Sequence, residues 1–173
     1  MRKIIGILAL VILLNVPQAA LAGDGQHWAY KDVTEACANY NLDFAGAWDD
    51  PAEPALQEKI FALAGLPLQP KENITRKEVI YYFVNTLDVG DVTEENAATF
   101  LSGYADDLCK VCVKVNTALA KAGKIGLLQG RETAEGKIVA ADMPVTNAEL
   151  IVLYHRYKKL AEGGQGDGPL ITP

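Results

Sequence analysis

Apolar residues recur at three- and four-residue spacing in several stretches of this chain, the mark of helices with one buried stripe. Ala29, Val33, Ala36, Cys37 and Tyr40 form the first stretch. Leu56, Ile60 and Leu63 form another between Pro54 and Ala64, where Pro54 suits a first helical turn and Gly65 a stop. Val79, Ile80, Phe83, Val84 and Leu87 make a third, and Thr93 to Leu101 predicts a short connecting helix capped by Thr93. Val111, Val115, Ala118, Leu119 and Ala122 line one side of a further helix, with Lys110, Lys114, Thr117 and Lys121 on its solvated face. Leu150, Ile151, Tyr154, Tyr157 and Leu160 mark the last. Strand patterning is weak. Lys137 to Ala140 is the best candidate, and no sheet is expected from it. The predicted fold class is mainly all-α, a small helical bundle.

Two of these helices open alike. Ile74-Thr75-Arg76-Lys77-Glu78-Val79 parallels Val145-Thr146-Asn147-Ala148-Glu149-Leu150. In each, a threonine precedes a glutamate by three residues, which is a capping box. An apolar residue before the cap can staple to one at the fourth helical position. Thr75, Glu78, Thr146 and Glu149 are therefore expected to cap helices. A helix, a loop and a capped helix thus occur twice, over 23–90 and 91–162, with Pro54 to Ala64 as an extra helix inserted in the first unit. From residue 163 the chain is rich in glycine, and this tail to residue 173 is expected to be disordered.

The N-terminus differs from the rest. Arg2 and Lys3 precede an apolar run from Ile4 to Val16, and Ala20-Leu21-Ala22 offers small residues for cleavage. This order is that of a secretory signal peptide over 1–22. The run is shorter than the roughly 18 to 20 residues that span a bilayer. The expectation is export, with no membrane segment in the mature chain. Its 151 residues (173 less the first 22) suffice for one domain or two small subdomains. Losing Arg2 and Lys3 shifts the formal charge from −6 to −8. Such an acidic chain is a poor partner for nucleic acid or anionic membranes.

The chemistry-bearing residues are few. Cys37, Cys109 and Cys112 can supply one disulfide and one free thiol, and the pairing stays open. The C-x-x-C at Cys109 and Cys112 could serve redox or zinc chemistry. The first wants an α/β context, and the second wants about four ligands where only Cys37, His27 and His155 are added. No catalytic motif is present, and Asp49-Asp50 and Asp106-Asp107 are adjacent acids in expected loops. No catalytic residue, metal site or cofactor is expected.

Taken in order, these motifs resemble the S-layer homology family. His27-Trp28-Ala29 is similar to the start of that family's repeat, and Ile74 to Glu78 to its Ile-Thr-Arg-Ala-Glu signature. In the second unit Phe100 and Asp106 fall near the family's opening Phe and Asp. Gly126-Leu127-Leu128-Gln129-Gly130 resembles its glycine-flanked turn, and Val145 to Glu149 its signature, with Asn147 in place of arginine. Two repeats are visible where the family commonly has three in a pseudo-threefold arrangement. The resemblance implies noncovalent attachment to cell-wall polysaccharide, often acidic, or association with an S-layer, at the surface of a bacterium. It assigns the acidic group to Arg76, at the first helical position, where free amides and the positive helix end also favour an anion. Trp28 would stack on a sugar, and Gly126, Gln129 and Gly130 would form a turn close to the ligand. The alternative is a secreted protein-interaction or self-assembling module, including a homo-oligomer, without carbohydrate affinity.

Overall fold

In the computed structural model, the described residues are 27–44, 47–105 and 113–163. Among them the chain is mainly helical. The helices are α1 (Tyr30–Tyr40), α2 (Pro54–Ala64), α3 (Arg76–Asn85), α4 (Glu94–Leu101), α5 (Val113–Lys124) and α6 (Asn147–Ala161). The expected leader, Asp106, Cys109, Cys112 and the tail from residue 164 lie outside the described residues. No helix among those described is long and apolar enough to cross a membrane.

Helix α6 is the centre. Every residue from Asn147 to His155 is buried, as is Tyr157, so this helix is covered on all sides. Helices α1, α2 and α3 pack on it, while α5 packs on α3 and carries α4. The contacts are aromatic where α6 meets its neighbours. Phe83 of α3 stacks on Tyr157 at 4.7 Å, and Tyr40 of α1 meets Tyr154 edge-on at 5.0 Å. One contiguous apolar cluster runs from Ala29 to Tyr157, so the two expected units share a core.

Helix ends follow the local sequence. Pro54 opens α2, and Gly65 closes it in the left-handed region at φ +66°. Leu66 N–H bonds the Phe61 carbonyl at 2.9 Å across that turn, a Schellman closure. Thr93 accepts from Asn96 N–H at the start of α4. At α6 the box is reciprocal: Glu149 N–H donates to Thr146 Oγ1 at 3.3 Å, and Thr146 N–H to Glu149 Oε2 at 3.2 Å. At α3 the Glu78 carboxylate accepts from both the amide and the hydroxyl of Thr75, each at 2.9 Å.

Three helix starts interlock. Asn147 and Ala148, opening α6, donate their amides to Asp50 and Trp48 in the loop ahead of α2. Arg76 and Lys77, opening α3, donate theirs to Met143 and Ala141 in the loop ahead of α6. Gln57 in the first turn of α2 donates to the Lys71 carbonyl and accepts from the Lys71 amide, in the loop ahead of α3. Each start is tied to the loop leading into another of the three, and the ring closes. Buried polar side chains reinforce it. Asn147 accepts from Glu53 N–H and donates to the Ala47 carbonyl, each at 2.9 Å. Such groups are tolerated in a core because they are hydrogen-bonded.

A small antiparallel hairpin departs from the sequence expectation. Strand β1 (Arg131–Thr133) pairs with β2 (Gly136–Ile138), with Glu132 opposite Lys137. Three residues per strand are too few for alternation to show in a sequence. The turn places Gly136 at φ +121°, which favours glycine.

Candidate functional site

The hairpin, the loop ahead of α6, the start of α1 and one side of α6 enclose a cleft of about 710 Å³. It brings together Trp28, Arg76, Gln129 and Gly130, four residues singled out from the sequence, with Thr146 and Glu149 of the α6 cap. Arg131 and Arg156 also line it, and neither drew attention in the sequence. Arg131 stands on no motif, and Arg156 is one more cation on an amphipathic helix. Only the folded chain sets them together.

Arg76 is not displayed as expected. It is 5% exposed. NH1 donates to the Val139 carbonyl at 2.9 Å and NH2 to the Gln129 carbonyl at 2.6 Å, while Glu149 lies 3.6 Å from NH1. Its Nε–H is buried and has no acceptor among the described residues. The guanidinium thus ties α3 to the loops on either side of the hairpin. The α3 terminus is not open to an anion either, because the amides of Arg76 and Lys77 are taken by Met143 and Ala141. Both expectations fail for one reason: the neighbouring loop fills the space above the helix start.

The other candidates divide. Trp28 stands 61% exposed at the rim, its ring 5.7 Å from that of His27. His27 in turn meets Trp48 at 4.7 Å and places Nε2 3.3 Å from Asp49. Gly126 does not line the cleft; it ends α5 at φ +78°. Gly130 does line it, but its lack of a side chain serves packing. A Cβ there would lie 2.7 Å from both Tyr104 and Lys137. Thr75 and Glu78 cap α3 away from the cleft, with Lys71 Nζ 2.7 Å from Glu78. Cys37, half-buried on α1, has no disulfide partner among the described residues, Cys109 and Cys112 lying outside them; burial pushes its pKa up.

Two guanidinium groups meet one carboxylate, and a third lines the same cleft. Arg131 grips Glu149 with both Nε and NH2, at 2.8 and 2.6 Å, a bidentate pair. Arg156 donates from NH2 to Gln129 Oε1 at 3.0 Å and lies 3.6 Å from Asp32 of α1. Burial lowers the pKa of Arg76, as do the charges of Arg131 and Arg156, against the pull of Glu149. Glu149 is held below the usual carboxylate range: burial alone would raise it, and Arg131 and Arg76 outweigh that. Asp49 and Glu132 also line the cleft, but their side chains are each 79% exposed and lie in solvent. The inner cleft is thus richer in positive charge than a chain of net charge −6 would lead one to expect. No group of three or more metal-ligating side chains occurs among the described residues.

No protein-family model, no curated protein and no solved structure matches this chain.

Proposed function

We propose that this chain is an exported, noncatalytic module of S-layer-homology type that holds an acidic cell-wall polysaccharide in the cleft between α6, the hairpin and the start of α1. The observation that carries the reading is the gathering of Arg76, Arg131 and Arg156 in one cleft, where the first two flank Glu149, the one buried carboxylate among the described residues, beside an exposed tryptophan. Like charges are gathered at a cost in an acidic protein, and an anionic ligand relieves it. Guanidinium groups match carboxylates in geometry, and an exposed aromatic face suits a sugar ring.

The ring of helix starts adds support. Ala52-Glu53-Pro54 leads into α2 as Ile74-Thr75-Arg76 leads into α3 and Val145-Thr146-Asn147 into α6, the third residue of each opening its helix. On this reading α2 is the third, degenerate member of the repeat set rather than an insertion. Its cap signature is unreadable because glutamate and proline stand where threonine and arginine would. Purified protein mixed with wall sacculi is expected to sediment with them, and to stop doing so once the secondary polymer is extracted. Equal sedimentation with extracted and intact sacculi would overturn the proposal.

A further inference from the structure

We infer that Arg131 and Arg156, not the signature arginine, meet a ligand carboxylate in this cleft, and that Glu149 is the internal counter-ion of Arg131 with which that carboxylate competes. The inference rests on the cleft being a site for an acidic polymer.

Accessibility separates the three cations. The Arg76 side chain is 6% exposed, against 29% for Arg131 and 20% for Arg156. Both terminal nitrogens of Arg76 already bond backbone carbonyls, and its orphaned Nε is sealed from solvent. Arg131 differs. Two of its nitrogens hold Glu149, but among the described residues NH1 meets only the Met143 sulfur, at 3.6 Å. A thioether is a weak acceptor, so an incoming oxygen improves on it.

Arg156 is aimed by a chain of contacts. Arg76 fixes the backbone of Gln129, and the Gln129 side chain fixes Arg156. Arg76 is therefore a positioning residue. Glu149 sits against Arg131 and Arg76 and is anchored by the Thr146 amide, so it cannot swing away. A ligand carboxylate must share the Arg131 field with it. The rim fits an acidic sugar polymer: exposed Trp28 and Met143, with Pro51 and Pro144, offer apolar faces around a cationic floor.

The test uses the mature protein with two soluble probes, polygalacturonate and its fully methyl-esterified form, by calorimetry at low salt. Wild type is expected to bind the acid and not the ester. Arg131→Ala and Arg156→Ala should each weaken binding roughly tenfold or more, the worth of a charge-assisted hydrogen bond. Glu149→Gln should tighten it several-fold while lowering the melting temperature, which a merely structural glutamate would not do. Melting curves identify any variant that has lost its fold, in which case Arg156→Ala, remote from the Glu149 pair, decides. Wild-type failure to bind polygalacturonate, or binding by both alanine variants as tight as by wild type, overturns the inference. Polymer-dependent sedimentation with sacculi that survives in both variants overturns it while leaving the wall-binding proposal standing. Loss of polymer dependence in wild type, with polygalacturonate binding still lost in the variants, sinks only the wall proposal.

Discussion

At the scale of single residues, the same position in two matching motifs takes two polar side chains and uses both as clamps. Arg76 and Asn147 each occupy the first position of a helix, and each bonds backbone in a neighbouring loop. The sequence makes Asn147 look like the loss of a binding arginine; the structure makes both residues internal fasteners. Arg76→Ala is expected to destabilise the protein by about 3–5 kcal/mol, because it removes one partner from a buried ionic cluster and orphans two carbonyls. Urea denaturation measures this, and a loss under about 1 kcal/mol would mean the guanidinium is not fastened as described. Gln57 was invisible for a related reason. A glutamine in an amphipathic helix is ordinarily solvated, and only the Lys71 backbone opposite makes it a buried crosslink.

At the scale of elements, capping was legible and contact was not. The limits of α2 and the Thr93, Thr75 and Thr146 caps follow from proline, glycine and hydroxyl chemistry within four residues. How α4 lies on α5 depends instead on one missing side chain. A Cβ on Gly123 would come within 2.0 Å of Phe100 Cζ, so the phenyl ring occupies the space a larger residue would need. Gly123 lies inside α5, where alanine is the better helix former by about 1 kcal/mol. Gly123→Ala is nevertheless expected to lower stability, by about 1–3 kcal/mol, since overpacking outweighs the gain in propensity. Pairing it with Phe100→Leu should recover part of the loss, and the thermal midpoints of the two variants check this. A stabilised single variant would show that α4 does not seat on α5 through that ring.

At the scale of the whole molecule, carboxylates hold the seams. Glu35 of α1 is pulled below its ordinary range, chiefly by its hydrogen bond with His155 of α6. Glu78 is also lowered: burial opposes this, but bonds from Lys71 and Thr75 prevail. Glu149 behaves likewise at the centre of the cleft. A group depressed in the folded state contributes stability above its unfolded pKa and loses it as pH falls through the folded value. Stability should therefore hold level through neutral pH and decline below about pH 4, where unfolded carboxylates titrate. Melting temperatures from pH 7 down to pH 3 test this, and Glu149→Gln should flatten part of the decline. An unchanged melting temperature at pH 3 would show that these ion pairs contribute little.

Periodicity and capping chemistry act within one or two turns of chain, so the sequence alone determined the helical class, the limits of α2 and α4 and the duplicated threonine caps. It also drew attention to four residues that the fold places around one cleft. Tertiary structure decided what lies over each helix start. It decided that Arg76 is covered, that the first amides of α3 are occupied, and that Arg131 grips Glu149 in the cleft that Arg156 also lines. Those outcomes depend on contacts between residues 18 to 67 positions apart along the chain (Glu149 less Arg131, Met143 less Arg76), whose approach is set by burial of the α6 surface and leaves no local mark.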